Sequence, residues 1–225
     1  IAQANLILER LETNKEVIDE NAGHSALDKA TITGSATEML MGEVRFLRAY
    51  AYFTLYRYYG GVPLIIEPTG PKPDYVPRAT RQEMFKFLYD EMAYALDKCL
   101  DNRSGIAYGR VTKGAVAGML AKMKIFHASY IRRAEMYGNK INETTADDVD
   151  KTTLYSDAVK LCDDIIAGVY GTYKLEEYFP AVFTKRNNEI MFSVLAEEGV
   201  GTGYKIPMGF AGEGKYGATG GINLP

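Results

Sequence analysis

The chain has 225 residues, of which 47% are hydrophobic and 24% are charged, and this composition is typical of an ordinary globular protein. Its formal net charge is −3, and it has no dense run of Lys and Arg, which argues against a nucleic-acid partner because phosphate groups require a basic face. The small net charge points instead to a neutral ligand or a protein partner. The sequence also lacks a run of about 18 apolar residues, so no membrane-spanning segment is predicted.

The first 34 residues predict one helix and a polar segment. Ile1, Ala4, Leu8 and Leu11 fall on one side of a helix over 1–13. The mixed, polar stretch that follows indicates a loop with some helix around 15–21. The chain opens inside a helix, without an initiating Met or the apolar core of a signal peptide. We therefore expect an internal piece of a longer protein, with any targeting segment upstream of it.

A long helix over 36–59 is the element around which the rest of the chain is organised. Apolar residues recur along it at helical spacing, at Leu40, Val44, Leu47, Ala51, Leu55 and Tyr58. Its second half is apolar or aromatic all the way round, so we expect it to be covered on most sides. Arg48 falls off the apolar stripe. Gly60 or Gly61 is expected to end the helix in the left-handed conformation, and a proline then favours an extended segment over 62–66.

The next stretch predicts an irregular connection and a second long helix. Residues 67–77 include four prolines, which indicates a surface connection without regular structure. Thr80 then has the character of an N-cap, with Glu83 three residues later, and this pair forms a capping box. The capping box predicts a helix that continues to about Leu100.

A third long helix is predicted over 111–137, after a loop at 101–109. Gly114 and Gly118 lie four residues apart on it among alanines. In a membrane this spacing would suggest helix dimerisation, but the lysines on the same helix would be costly in lipid. The two glycines therefore predict a close crossing between packed helices.

The last part of the chain predicts shorter elements and a glycine-rich tail. A helix over 154–167 follows a polar loop and ends at Gly168. A shorter helix is expected near 175–183, and a strand is predicted over 189–195. From residue 197 onward no helical period survives.

Pairs of helices with small residues at their crossings, joined by loops, predict a mostly α fold. We interpret it as an irregular tetratricopeptide-like helical-repeat scaffold with long loops, because the 34-residue period is not regular. The scaffold is predicted over 1–196. Residues 197–225 are predicted to be a glycine-rich loop region that leads into a further C-terminal part.

The string GEVRFLRAYAYFTLYRYYGGVPLI, in the predicted central helix and the turn after it, resembles the signature helix of the SusD/RagB family. In that family a Glu-x-x-Phe-Leu-Arg-Ala-Tyr helix runs through aromatic positions into Gly-Gly-Val-Pro-Leu. Residues 80–96, 108–130 and 155–194 resemble the same family in the same order. The resemblance implies a SusD-like, tetratricopeptide-like scaffold.

The resemblance also implies a function. Members of the family are surface-exposed outer-membrane lipoproteins of Bacteroidetes that bind an oligosaccharide or polysaccharide. They sit as a lid on a SusC-type TonB-dependent transporter and cleave nothing. The implied membrane contact is an N-terminal lipid anchor that this chain does not contain. The resemblance implies no cofactor and transfers no binding residue, because ligand contacts vary between members.

The residues themselves indicate no catalytic site. Acidic pairs such as Asp163-Asp164 and Glu176-Glu177 are sequence neighbours, which point in different directions on a helix and are typical of solvated faces. Neither a G-x-S-x-G elbow nor a phosphate-binding loop occurs. Cys99 and Cys162, like the two histidines, are too isolated to suggest a metal site, and both cysteines are expected to be buried.

Aromatic residues in loops are the candidate ligand contacts, because a sugar presents an apolar C–H face to a ring and hydroxyls to nearby polar groups. The loop-borne candidates are Tyr75, Tyr108, Tyr204, Phe210 and Tyr216. We favour the cluster from Tyr204 to Tyr216, since glycine-rich backbone allows a ligand to approach closely. Each ring could instead only anchor its own loop. The tyrosines of the central helix, Tyr50, Tyr52, Tyr56, Tyr58 and Tyr59, are expected to serve packing.

Two other functions stay open from the sequence. A helical-repeat scaffold can bind a protein or peptide on its concave surface. A helical glycoside hydrolase would need carboxylates that converge from elsewhere in the protein. The lack of Trp, a frequent stacking residue in starch binders of the family, leaves stacking to Tyr and Phe.

Overall fold

A computed structural model of the chain defines most of its first 193 residues. The described residues are 1–21, 34–68, 76–101, 109–137, 149–180, 182 and 187–193. The chain divides into two units, Ile1–Phe192 and Ser193–Pro225, and the fold given below is that of the first unit. The predicted glycine-rich region 197–225 lies outside the described residues.

The described part of the chain is helical. Its six helices are α1 (Ala2–Thr13), α2 (Lys15–Asn21), α3 (Ala36–Tyr59), α4 (Arg81–Lys98), α5 (Lys113–Tyr137) and α6 (Lys151–Ile166). Helix α3 packs mainly on α4, and α5 packs mainly on α6, while α1 lies against α3. The prediction of a mostly α fold is confirmed, since the residues that the structure describes form helices and no strand. An isolated parallel β-bridge joins Leu100 to Thr112. None of the described helices has the length and apolar character needed to cross a membrane.

Local signals fix the ends of α3 and α4. Ser35 and Glu38 form a capping box at the start of α3, and Thr80 and Glu83 form the predicted one at the start of α4. Gly60 has a φ of 69° and a ψ of −146°, so a glycine with positive φ ends α3 as the sequence predicts, but outside the left-handed helical conformation that was expected.

Aromatic rings form the centre of the bundle. Phe53 meets Phe126 of α5 edge-to-face at 5.4 Å between ring centroids, and Tyr56 meets Phe85 of α4 in the same way at 5.1 Å. Edge-to-face pairs of this kind contribute about 0.5–1.5 kcal/mol beyond their buried area. The second half of α3 therefore joins α4 to α5.

The predicted buried face of α3 is wrong by about a third of a turn. Leu47 and Tyr58, both placed on the apolar stripe, are 46% and 78% exposed. The structure instead buries Met39, Phe46, Ala49, Phe53 and Tyr56. Both faces are apolar in sequence, but the face with the larger rings makes the edge-to-face contacts and buries more surface. Only Leu47, Tyr50, Arg57, Tyr58 and Tyr59 of α3 are exposed, so the helix is covered on most of its sides as the sequence predicts.

The glycines of α5 make room for side chains rather than for another helix, which corrects the predicted helix crossing. A Cβ atom on Gly114 would overlap the ring and hydroxyl of Tyr173. A Cβ atom on Gly118 would lie 3.1 Å from the terminal methyl of Met191. Both partners belong to the segment that follows α6, so the glycines seat that segment on α5.

Two predicted elements of this segment differ from the structure. Residues 175–180 form bends and a turn instead of a helix, although Val182 is helical, and Leu175 and Phe179 are exposed, so no apolar face would stabilise helical turns over 175–180. Residues 189–193 form no strand. The Asn187 side chain accepts hydrogen bonds from the backbone N–H groups of Glu189 and Ile190, and this local turn replaces strand pairing.

Candidate ligand-binding surface

The predicted ligand-binding residues Tyr75, Tyr204, Phe210 and Tyr216 all lie outside the described residues, as does Tyr108. They therefore stay predictions. The described residues present a different set of exposed rings, at the C-terminal end of α3.

Tyr58 and Tyr59 form an exposed pair of rings at this end. Their side chains are 78% and 65% exposed, with ring centroids 6.4 Å apart and ring planes inclined by 54°. Tyr52 and Tyr56 are buried, so the prediction that the tyrosines of this helix serve packing is confirmed for those two. It is wrong for Tyr58 and Tyr59, whereas Tyr50 is 42% exposed but stacks on the buried Phe46 ring, with ring centroids 6.4 Å apart.

The chain returns to the end of α3 after the proline-rich segment. The Arg78 guanidinium donates to the carbonyl oxygens of Tyr59 at 3.1 Å and Gly61 at 3.3 Å. The Ala79 N–H donates to the carbonyl of Val62 at 3.1 Å, and Gly61 lies so close to Ala79 that a Cβ atom would overlap its carbonyl oxygen. These contacts satisfy carbonyl groups that the helix leaves unpaired at its end.

Side chains of α1 and α3 hold the start of the proline-rich segment. The Tyr52 hydroxyl accepts from the N–H of Ile65 at 2.8 Å and donates to its carbonyl at 2.9 Å. The Asn5 amide donates to the carbonyls of Ile65 at 2.8 Å and Glu67 at 3.1 Å. Burial raises the pKa of Tyr52 above its ordinary value, so this hydroxyl stays protonated and keeps both bonds. We call the paired segments 62–67 and 78–79 the loop neck.

A buried ion pair supports the loop neck. Arg48 donates to the Glu91 carboxylate at 2.7 Å and to the Asn5 side-chain oxygen at 2.9 Å. Arg48 and Glu91 are both buried, and Arg45 approaches the same carboxylate at 3.5 Å. The sequence placed Arg48 off the apolar stripe without a role, because its partner lies on another helix. Its geometry assigns it to joining α1, α3 and α4.

Helices α3 and α5 run side by side in the same direction toward the exposed tyrosines. Phe53 contacts Phe126, and one turn later Tyr56 lies 6.3 Å from Tyr130 between ring centroids. One further turn along α5 is Arg133, which is exposed. The α3 end and the C-terminal part of α5 therefore lie at the same end of the bundle.

Two exposed arginines belong to the segments that carry or contact the exposed tyrosines. Arg57 is exposed, with its guanidinium carbon 5.8 Å from the centroid of the Phe53 ring, and Arg78 is exposed at the loop neck. Arg81, at the start of α4, is buried, with its guanidinium carbon 5.3 Å from the centroid of the Tyr130 ring. We call the exposed set, which consists of Arg57, Tyr58, Tyr59 and Arg78, the aromatic-arginine surface. Its rings can stack on the C–H face of a sugar, and its guanidinium groups supply hydrogen-bond donors.

Among the described residues, the buried carboxylates stabilise the fold through ion pairs with arginines. Glu91 binds two arginines, and Glu43 binds Arg110 through both of its oxygens. Burial raises the pKa of Glu43, although the guanidinium opposes this shift. Among the adjacent acidic pairs, Asp163 and Glu177 are exposed as predicted for solvated faces, whereas Asp164 and Glu176 are half-buried. Within the described ranges, no three His, Cys, Asp or Glu side chains come together in a way that could hold a metal ion.

The cysteines and the described histidine are separate from this surface. Cys99 is buried as predicted, and burial raises its pKa to about 12. Cys162 is exposed, which corrects the prediction for that residue. His127 is buried against Phe85, with its ring stacked at 3.8 Å, and its Nδ1 lies 2.9 Å from the Tyr89 hydroxyl. His24 lies outside the described residues.

A family model of SusD-like proteins, described as starch-binding and associating with the outer membrane, matches residues 1–125. A SusD-like protein of Bacteroides ovatus is 24% identical over 171 residues, which cover 71% of this chain and 28% of that protein. The chain therefore spans less than a third of that relative's length.

Solved structures show the same fold. A SusD superfamily protein from Bacteroides thetaiotaomicron superposes with a TM-score of 0.58 at 17% identity, over 86% of this chain and 36% of its own. A laminarin-binding SusD-like protein superposes with a TM-score of 0.53 at 21% identity, over 87% of this chain and 34% of its own. The predicted SusD-like, tetratricopeptide-like helical scaffold is thereby confirmed.

Proposed function

Because this chain belongs to the SusD-like family of glycan-binding proteins, we propose that it captures a glycan at the bacterial cell surface and delivers it to a TonB-dependent outer-membrane transporter of the SusC type. Capture is reversible and the glycan leaves uncleaved. The protein works at the outer membrane as a surface-exposed lipoprotein.

The match of the family model over residues 1–125 carries the proposal, because its description joins starch binding to the outer membrane. A solved relative with the same fold binds laminarin, which is also a glucan. The exposed rings of Tyr58 and Tyr59 add a surface of the kind that sugar stacking requires.

Binding without cleavage agrees with the chemistry of the described acids. Hydrolysis needs two carboxyl groups that face each other across the scissile bond, one of them protonated. Glu91 and Glu43, the buried carboxylates described above, are instead held by arginines. A protein that must release its cargo is expected to bind it modestly, at about −4 to −8 kcal/mol, which corresponds to millimolar to micromolar dissociation constants.

Isothermal titration of the purified protein against soluble polysaccharides and their oligomers tests the proposal. We expect saturable heat with one class of glycan and none with unrelated classes, and no new reducing ends after long incubation. New reducing ends would identify a hydrolase and refute the proposal. No heat with any glycan in a broad panel would favour a helical-repeat scaffold that binds a protein.

Delivery needs a separate test in a cell. Deleting the gene for the neighbouring transporter should stop uptake of the captured glycan, while glycan binding at the cell surface persists. If uptake continues in the absence of every SusC-type transporter, the delivery step is wrong even though capture stands.

A further inference from the structure

Tyr58 and Tyr59 are exposed on a helix whose other aromatic rings pack into the core or against it. Within the described residues, each of these two rings contacts the other and no further ring. Resting on the proposed glycan capture, we infer that the pair is a stacking subsite for a bent glycan, in which successive sugar rings lie in different planes. A flat ribbon of sugars can cover only one of the two rings.

The backbone of α3 sets the angle between the two rings. Consecutive residues on a helix point about 100° apart around its axis, so neighbouring side chains do not form one flat platform. The ring planes of Tyr58 and Tyr59 are inclined by 54°, with centroids 6.4 Å apart. A sugar that stacks on Tyr58 therefore lies at a steep angle to a sugar that stacks on Tyr59. A chain must bend between these two sugars to use both rings.

The backbone that carries the pair is held in place before any ligand arrives. The Gly60 N–H donates to the carbonyl of Tyr56 at 2.9 Å, and Tyr56 is buried in the core. The Arg78 guanidinium donates to the carbonyls of Tyr59 and Gly61. A tyrosine has only two side-chain torsions to order when a ligand covers it. A pair mounted in this way therefore loses little conformational entropy on binding.

Arg78 also supplies hydrogen-bond donors next to the backbone of Tyr59. Its two bonds to carbonyl groups both come from Nη1, so the N–H groups of Nε and Nη2 make no hydrogen bond within the described part of the chain. Arg78 is exposed. A sugar that lies on an aromatic ring presents hydroxyl oxygens at its edge, and these oxygens accept from such donors. The subsite therefore combines apolar faces with donors at their edge, as sugar binding requires.

A second pair of adjacent exposed rings provides a matched control. Tyr178 and Phe179 are as exposed as the inferred subsite, but they lie in bends and a turn instead of on a helix. Their segment is seated by Tyr173 against Gly114, at the start of α5, whereas the end of α3 lies near the C-terminal part of that helix. Changes at this second pair therefore separate exposure alone from the geometry of the subsite.

Glucose oligomers that differ only in linkage test the inference by isothermal titration of the purified protein. Cello-oligosaccharides form a flat ribbon, whereas laminari-oligosaccharides and malto-oligosaccharides bend at each linkage. At matched chain length, we expect at least one of the two bent series to bind about tenfold or more tightly than the flat series, because the flat chain covers one ring instead of two.

Substitutions locate the binding. Tyr58→Ala and Tyr59→Ala should each weaken binding of the bent series about tenfold, because each removes one covered ring. Both variants should also lose the preference for bent over flat oligomers, which a general loss of structure would not explain. Tyr58→Phe keeps the ring and should restore most of the affinity that Tyr58→Ala loses. Tyr178→Ala and Phe179→Ala should bind as the wild type does, and thermal unfolding of each variant checks that the fold is intact.

The outcomes separate this inference from the proposed function. Equal affinity for bent and flat oligomers, or tighter binding of the flat series, would overturn the bent ligand and leave glycan capture standing. If a different glycan binds instead of glucose oligomers, Tyr58→Ala and Tyr59→Ala should weaken its binding by the same factor. Unchanged affinity in both variants would remove the assigned subsite, and failure of every glycan to bind would refute the proposed function as well.

Discussion

Replacing Arg48 with Met tests whether the buried ion pair holds three helices together. The change removes the 2.7 Å bond to Glu91 and the 2.9 Å bond to Asn5, while its methylenes keep much of the packing. Losing one partner of a buried pair costs about 3–5 kcal/mol, because the other charge stays buried without compensation. We expect the lower end, about 3 kcal/mol, since Arg45 remains 3.5 Å from the carboxylate.

Urea unfolding followed by circular dichroism measures this loss, and a chain of this size should also unfold about 6–12 °C lower. Lys86→Met is the control, because its pair with Asp90 is exposed and should change stability by less than about 1 kcal/mol. Replacing Arg48 and Glu91 together by Met should recover much of the loss. The reasoning is refuted if Arg48→Met costs no more than the control, or if the double replacement is less stable than either single one.

Three further predictions follow from the local structure. Gly114→Ala places a methyl group against the Tyr173 ring and should cost about 1–3 kcal/mol in unfolding free energy. The Cys162 thiol should react with a thiol reagent at pH 8 in the folded protein, whereas Cys99, whose pKa burial raises to about 12, should react only after unfolding. Hydrogen bonds from Thr80 lower the pKa of Glu83 below its ordinary 4.5, so its contribution to stability is present above that pH and is lost as pH falls through the lowered pKa. Glu83→Gln should remove this dependence and keep the cap.

Each of these predictions has its own control. The methyl group of Gly118→Ala would meet the flexible end of Met191, so this change should lower the unfolding free energy less than Gly114→Ala does. Equal losses would contradict the close packing of Tyr173 against Gly114. Rapid reaction of both thiols in the folded protein would contradict the burial of Cys99. An identical acid limb of the stability curve in wild type and Glu83→Gln would contradict the assigned pKa shift.

Local signals in the sequence predicted helix boundaries well, because they depend on neighbouring residues. The Thr80 and Glu83 pair begins α4, and Gly60 ends α3, as their chemistry requires. The choice between two apolar faces of α3 depends instead on rings of α4 and α5 that lie far away in sequence. That choice decided the exposure of Tyr58 and Tyr59, which the sequence assigned to packing.

The exposed rings at the end of α3 could be predicted from the sequence only if the buried face of α3 were assigned correctly. If Phe46, Phe53 and Tyr56 mark the buried face, Tyr58 falls outside it by helical spacing. The arginines give a weaker signal, because Arg57 and Arg78 belong to separate segments. Arg78 reaches the end of α3 only through its hydrogen bonds to the carbonyls of Tyr59 and Gly61.

The loop neck also bears on how such a scaffold changes over evolution. Both ends of the proline-rich segment are fixed to the bundle, by Tyr52 and Asn5 at its start and by Arg78 and Ala79 at its end. Doubling the length of a segment closed in this way costs only about 0.6 kcal/mol of chain entropy. Residues 69–75 can therefore be exchanged for longer or different sequences while the helices keep their packing. The neck makes this position an insertion site where new specificities can arise without a new fold.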